Sequence, residues 1–213
     1  MAMVYAETSE MKSHPLGKIA VKLRRAACCP SRLSPLIFMT DPQRVKNLPE
    51  QLAALPQGCG VIYRHFGETN RYITAKLLRD ITLSRGQQLL IGGDDIALAE
   101  SVKADGVHFR RDAHLKGPTA FHAEQPDKLI TMAGLKTGRY AAPLTCLDGL
   151  FISSIFPSQS PSAGAPIGPA ALAKKAQNLK APIFALGGIT PQTAPEILGT
   201  KISGFAAIGG FKL

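Results

Sequence analysis

The chain has 213 residues, 45% of them apolar, which fits one globular domain with a full-sized core and leaves no room for an ~18-residue apolar membrane span or an N-terminal secretory signal. Cys28, Cys29, Cys59 and Cys146 form no C-x-x-C pair and no disulfide framework, so a reduced, cytoplasmic chain is expected. The formal net charge of +10 suits an acidic partner or simple solubility, but the basic residues are scattered, only 6% of residues are aromatic and no nucleic-acid module is present, which favours a phosphorylated small molecule over nucleic acid.

Residues 1–34 stand apart as a basic N-terminal extension, with Lys12, Lys18, Lys22, Arg24, Arg25 and Arg32 against Glu7 and Glu10. Leu16, Ile19, Ala20 and Leu23 at helical spacing predict an amphipathic helix ending before Pro30. Its apolar face is short, so packing on the domain is expected and membrane contact is not.

From Pro35 the pattern alternates. Short apolar runs predict strands over 36–40, 60–66, 88–91, 106–109, 129–132, 150–155, 183–186 and 204–208. Helical spacing appears between several of them. Val45, Leu48, Leu52 and Leu55 share a face, as do Ile73, Leu77, Leu78 and Ile81 within 72–84, and further helices are predicted over 94–102, 169–179 and 193–198.

Eight strands alternating with helical segments predict a single-domain TIM (β/α)8 barrel over 35–213, with the site at the C-terminal strand ends. A doubly wound open sheet is the alternative, but it usually carries one early glycine-rich turn. Here the glycine pairs, Gly187-Gly188 and Gly209-Gly210, follow the last two strands, where such barrels commonly bind phosphate. Thr190-Pro191 reads as a cap and first helical residue whose N–H groups suit an anion. An ordinary strand-to-helix turn is the competing reading. The chain ends at Leu213, so no eighth helix is expected, and residues 7–27 or a partner subunit must cover the gap between the last and first strands. The basic arm makes a homodimer reasonable.

The ordered segments MTD, a second strand with an inward arginine, DIALAESVKADGVH, SSIFPSQS, IFALGGIT and GFAAIGG resemble the thiamine-phosphate synthase / TenI family from about Leu36 to Phe211. The resemblance implies a TIM barrel that joins a pyrimidine pyrophosphate to a thiazole phosphate, with Mg²⁺ assisting release of pyrophosphate. It places Gly187, Gly188, Ile208, Gly209 and Gly210 at the thiazole phosphate. Elsewhere the chain departs from the family's pattern. Gln-x-Arg-x-Lys on the second strand becomes Ile62, Arg64 and Phe66, leaving Arg64 as the candidate catalytic cation. Pro-Thr-x-Thr-Lys becomes Pro157-Ser158-Gln159-Ser160-Pro161, keeping the hydroxyls of Ser158 and Ser160. The metal-binding Asn-Asp becomes Gly92-Gly93 followed by Asp94-Asp95, and Gly-Gln-x-Asp becomes Arg110-Arg111-Asp112-Ala113. Asp94 and Asp112 are the remaining metal candidates. Arg110 and Arg111 are read either as a solvated turn or as pyrophosphate ligands replacing the metal's charge. The tautomerase branch places a histidine after the fifth strand, where this chain has Met132 to Lys136. Three functions stay open: the transfer itself, a catalytically eroded barrel that binds a phosphorylated thiazole or related metabolite, or another phosphate-site barrel enzyme such as an isomerase or aldolase-like protein. The lack of a pocket lysine for a Schiff base or a clear glutamate base disfavours the third.

Overall fold

The computed structural model describes residues 7–45, 47–113, 115–134, 144–160 and 163–211. Thr8 opens helix α1 (Ser9–Ser13), its Oγ1 accepting from the Met11 N–H at 3.1 Å. His14 opens α2 (Pro15–Ala26) in the same way: Nδ1 accepts from the Gly17 N–H at 3.4 Å, and proline occupies the first helical position, where no donor is lost. The apolar stripe expected here is the buried one, with Leu16, Ala20 and Leu23 in the core and Ile19 packed at its edge.

Eight strands follow: β1 (Leu36–Met39), β2 (Gly60–Tyr63), β3 (Gln88–Gly92), β4 (Gly106–Phe109), β5 (Leu129–Ala133), β6 (Gly149–Ile152), β7 (Ile183–Leu186) and β8 (Gly204–Ala207). They pair in parallel in chain order, and β8 closes the barrel on β1 with Ile37 opposite Ala206. Nearly every strand residue is buried, as a parallel sheet covered on both faces requires. Ile37, Met39, Ile62, Leu90, Leu129, Phe151, Phe184 and Ala206 fill the barrel interior. The alternate residues, among them Phe38, Val61, Ile91 and Phe205, face the surrounding helices.

Those helices are α3 (Leu48–Ala54), α4 (Arg71–Ser84), α5 (Ile96–Ser101), α6 (Lys116–Glu124) and α7 (Gly168–Asn178). None among the described residues is long and apolar enough to cross a membrane. The helix expected over 193–198 is instead one 3-10 turn, Ala194–Ile197. Pro191, Pro195 and Gly199 bracket too few residues for a longer helix. Thr190 and Thr193 satisfy each other there, each N–H donating to the other's hydroxyl at 3.0 and 3.3 Å.

Between β8 and β1 the outer face is covered by α2, which packs on both strands and on the 194–197 turn. The linker behind it is clamped. Arg24 donates to the carbonyls of Leu33 and Ser31 at 2.9 and 3.0 Å, and the Cys28 N–H donates to the Lys201 carbonyl at 3.0 Å. At the N-terminal end of the barrel, Arg32 grips Asp148 through two bonds of 2.7 and 2.9 Å, while Asp148 also accepts from the Ile130 N–H. Arg79 and Asp105 form a matching pair at 2.7 Å, and Asp105 accepts from the Leu89 N–H. The aspartates entering β4 and β6 are therefore staples of the strand ends remote from the site.

Candidate functional site

The two glycine turns, 22 residues apart in the chain, meet at one cavity of about 500 Å³ at the C-terminal strand ends. Gly187, Gly188, Ile208, Gly209 and Gly210 all line it, with Ser158 on the wall formed by the loop after β6. Gly187 and Gly188 both have positive φ, at 99° and 68°. A Cβ on Gly188 would sit 2.4 Å from the Pro157 carbonyl oxygen, and the Phe156 N–H donates to the Gly187 carbonyl at 3.0 Å. The glycine pair thus lets the β7 turn lie directly on the β6 loop, and only a residue without a side chain fits. The expected helix N-terminus behind this turn is the 3-10 turn, which carries little dipole compared with a full helix. Ser160 does not line the cavity; its N–H donates to the Ser158 hydroxyl at 3.3 Å.

Sequence reasoning missed several cavity residues, among them Arg44 and Gln51, from the loop after β1 and from α3, and Phe211 beyond the β8 turn. The Gln51 amide donates to the Phe211 carbonyl at 2.9 Å, tying α3 to the β8 turn. Phe211 packs edge-on against Phe38 and tilted on His14, with ring centroids 5.6 and 5.8 Å apart. Leu16 lies beneath Gly210, 3.4 Å from where a Cβ would be. The N-terminal helix therefore props the cavity wall as well as covering the barrel. The one available signal was position, since loops following barrel strands carry the site residues.

Arg64 follows β2 and continues the inward alternation of Ile62. Its N–H donates to Thr40 Oγ1 at 2.8 Å. The guanidinium has the Met39 sulfur at 3.2 Å and the Phe66 ring centroid at 6.0 Å, and no ion pair among the described residues. Burial lowers its pKa, Asp41 opposes that shift, and Arg44 adds to it. A half-buried guanidinium with such weak partners is a charge that an incoming anion would offset. His65 points to the other side, buried against Tyr63 and bonded to Glu68 at 2.9 Å, a packing role.

His108 shares the interior with Arg64. Its Nδ1 is 2.9 Å from Thr131 Oγ1 and its ring meets Phe151 edge-on. Burial, aided by the charge of Arg64, pushes its pKa down to about 3, so it is neutral.

The rim residues correct the expectation that Asp94 and Arg110 act separately. The Asp94 carboxylate accepts from the Arg110 N–H at 2.6 Å and from Arg110 Nε at 2.9 Å, so each neutralises the other. Asp95 caps α5 by accepting from the Leu98 N–H at 3.1 Å and is also bound by Arg71. Arg111 donates through Nε to the Gly134 carbonyl at 2.8 Å. The side chain of Asp112, together with His114, Lys136 and Pro161, lies outside the described residues. Both aspartates after β3 are engaged by arginines, so a Mg²⁺ held there by one or two carboxylates and substrate phosphates would have to displace Arg110 or Arg71. Among the described residues no group of three His, Cys, Asp or Glu converges.

The chain matches the family model described as thiamine monophosphate synthase over residues 36–211. It is 36% identical to a thiamine-phosphate synthase of Methylobacillus flagellatus over 177 residues, covering 80% of this chain and 81% of that one. A thiamine-phosphate synthase of Moorella thermoacetica is 30% identical, covering 62% of this chain and 63% of the other. Among solved structures, a thiamine phosphate pyrophosphorylase from Pyrococcus furiosus superposes with a TM-score of 0.65 at 25% identity, covering 81% of this chain and 84% of that one. The family match begins at the first residue of β1 and ends beyond the β8 turn, taking in every strand and both glycine pairs. The chain belongs to the thiamine monophosphate synthase family.

Proposed function

We propose that this chain joins a pyrimidine pyrophosphate to a thiazole phosphate, releasing pyrophosphate. The observation that carries this reading is the single cavity that gathers Gly187, Gly188, Gly209 and Gly210 at the strand ends, in a chain of this family. In this reading backbone N–H groups of the two turns cradle the thiazole phosphate, with the Ser158 hydroxyl as a further donor. Arg64 takes the departing pyrophosphate, since a charge developing on a leaving group is best met by a cation already in place. Arg111, whose terminal nitrogens are not used by the Gly134 bond, is the second cation of that subsite. No step is assigned to Mg²⁺, because Asp94 and Asp95 are engaged by Arg110 and Arg71.

The test is turnover of the two substrates by the full chain, with and without added Mg²⁺. Formation of the joined product and pyrophosphate is expected. No product under either condition, alongside measurable thiazole phosphate binding, refutes the transfer and leaves a binding barrel.

A further inference from the structure

Among its described lining residues, the cavity holds a single charged side chain, and that side chain is Arg44. The other walls are backbone, apolar groups and the neutral side chains of Gln51, Ser158, Gln159 and Thr190. Among the described residues no carboxylate lines the cavity to oppose an anion. The ion pair of Arg44 with Asp41 is long, 3.9 Å from Nε, and Asp41 Oδ1 already accepts from the Gln43 N–H at 3.0 Å.

The position of Arg44 is built in. The N–H groups of Arg44 and Val45 both donate to the Asp41 carbonyl, at 3.1 and 3.0 Å, closing a turn directly after β1. The bond from Gln51 to Phe211 then fixes α3, which follows that turn, against the end of the β8 loop. Arg44 and the Gly209-Gly210 turn are thereby held on walls of the same cavity.

There is also a physical need for such a charge. A phosphate ester at this place gains little from a one-turn 3-10 helix after β7 and meets only a turn after β8. Backbone N–H donors already favour a phosphate oxygen over a hydroxyl, but they bring no net charge to offset that of a dianion. A guanidinium forms charge-assisted, forked hydrogen bonds to phosphate and makes none of that strength to an alcohol.

We propose that Arg44 is a specificity-determining residue, binding the phosphate in this cavity and making the cavity choose the phosphate ester over the corresponding alcohol. The identity of the ester as thiazole phosphate rests on the transfer reading above; the anion site itself does not.

The experiment measures calorimetric affinity of the full chain, Arg44→Gln and Arg44→Lys for thiazole phosphate and for the unphosphorylated thiazole alcohol. Thermal melts check that each variant is folded. Arg44→Gln is expected to weaken ester binding about 10- to 100-fold, the loss of a charged hydrogen-bonding partner, while alcohol binding stays within about twofold. Arg44→Lys recovers part of the ester affinity because charge remains without the fork. Equal losses for ester and alcohol, or no loss for the ester, overturn the proposal. So does a wild-type chain that does not distinguish the two. Absent turnover with Arg44-dependent ester binding refutes the transfer and supports this assignment. Normal turnover with an Arg44→Gln KM for the ester equal to wild type does the reverse.

Discussion

Arg64→Met separates what the barrel needs to fold from what it needs to bind. Arg64 is a half-buried cation with a thioether and a ring edge as its nearest partners, and burial already lowers its pKa. Methionine keeps an unbranched apolar stem beside Met39 and Gly92 and removes the charge. Removing a poorly compensated, partly desolvated ion stabilises a fold by roughly 1–2 kcal/mol. For a chain of this length that raises Tm by roughly 2–8 °C. Inorganic pyrophosphate at about a hundred times its Kd adds about 2.7 kcal/mol to a protein that binds it. Calorimetric melts with and without pyrophosphate read both effects. The variant is expected to melt higher than wild type alone and to gain no stability from pyrophosphate, with the transfer reaction lost. A variant that melts lower, or that pyrophosphate stabilises as much as wild type, refutes the assignment of Arg64 as an anion site.

The other predictions probe the cavity, its support and the interior histidine. Gly209→Asp places a carboxylate on the cavity wall where a Cβ meets nothing within 4 Å; at ~5 Å from a phosphate dianion it costs about 2 kcal/mol even under water-like screening, so calorimetry should show at least a tenfold loss of thiazole phosphate affinity with Tm little changed. Gly188 is the wrong place for that test, because any Cβ there collides with the Pro157 carbonyl oxygen. Leu16→Ala empties a fully buried site under Gly210, and a denaturant melt should show a loss of about 2–4 kcal/mol; unchanged stability argues against α2 as the cover of the β8–β1 face. Burial holds His108 at about 3 in the folded chain against 6.5 for the ordinary group. The unfolded chain therefore binds the extra proton between those values, and this contribution is complete above about pH 6.5 and lost progressively towards pH 3. Urea melts at pH 7.5 and pH 5 should show a smaller acid penalty for His108→Gln than for wild type; equal penalties remove His108 as the source.

Much of the fold was legible because a parallel barrel writes itself locally. Strands buried on both faces are short, uniformly apolar runs, and β4 and β7 begin and end where those runs do. The ends of the other strands shift by one to three residues; the segment read as β2 runs on through Arg64 and His65 to Phe66, whereas pairing stops at Tyr63. The 194–197 segment was misread as a helix because spacing does not show how closely Pro191 and Gly199 confine it.

The amino-acid sequence by itself determined the eight alternating units, the amphipathic N-terminal helix and the two glycine pairs, because periodicity and turn chemistry act over a few neighbouring residues. Tertiary structure alone decided which charges are spent and which remain available. Asp94 looks like a metal ligand in the chain, yet Arg110 occupies it across the β3–β4 boundary. Arg44 looks like an ordinary loop residue until barrel closure brings the β1 loop beside the β8 turn. Ion pairing and cavity lining depend on distances between residues remote in sequence, and closure of β8 on β1 sets those distances.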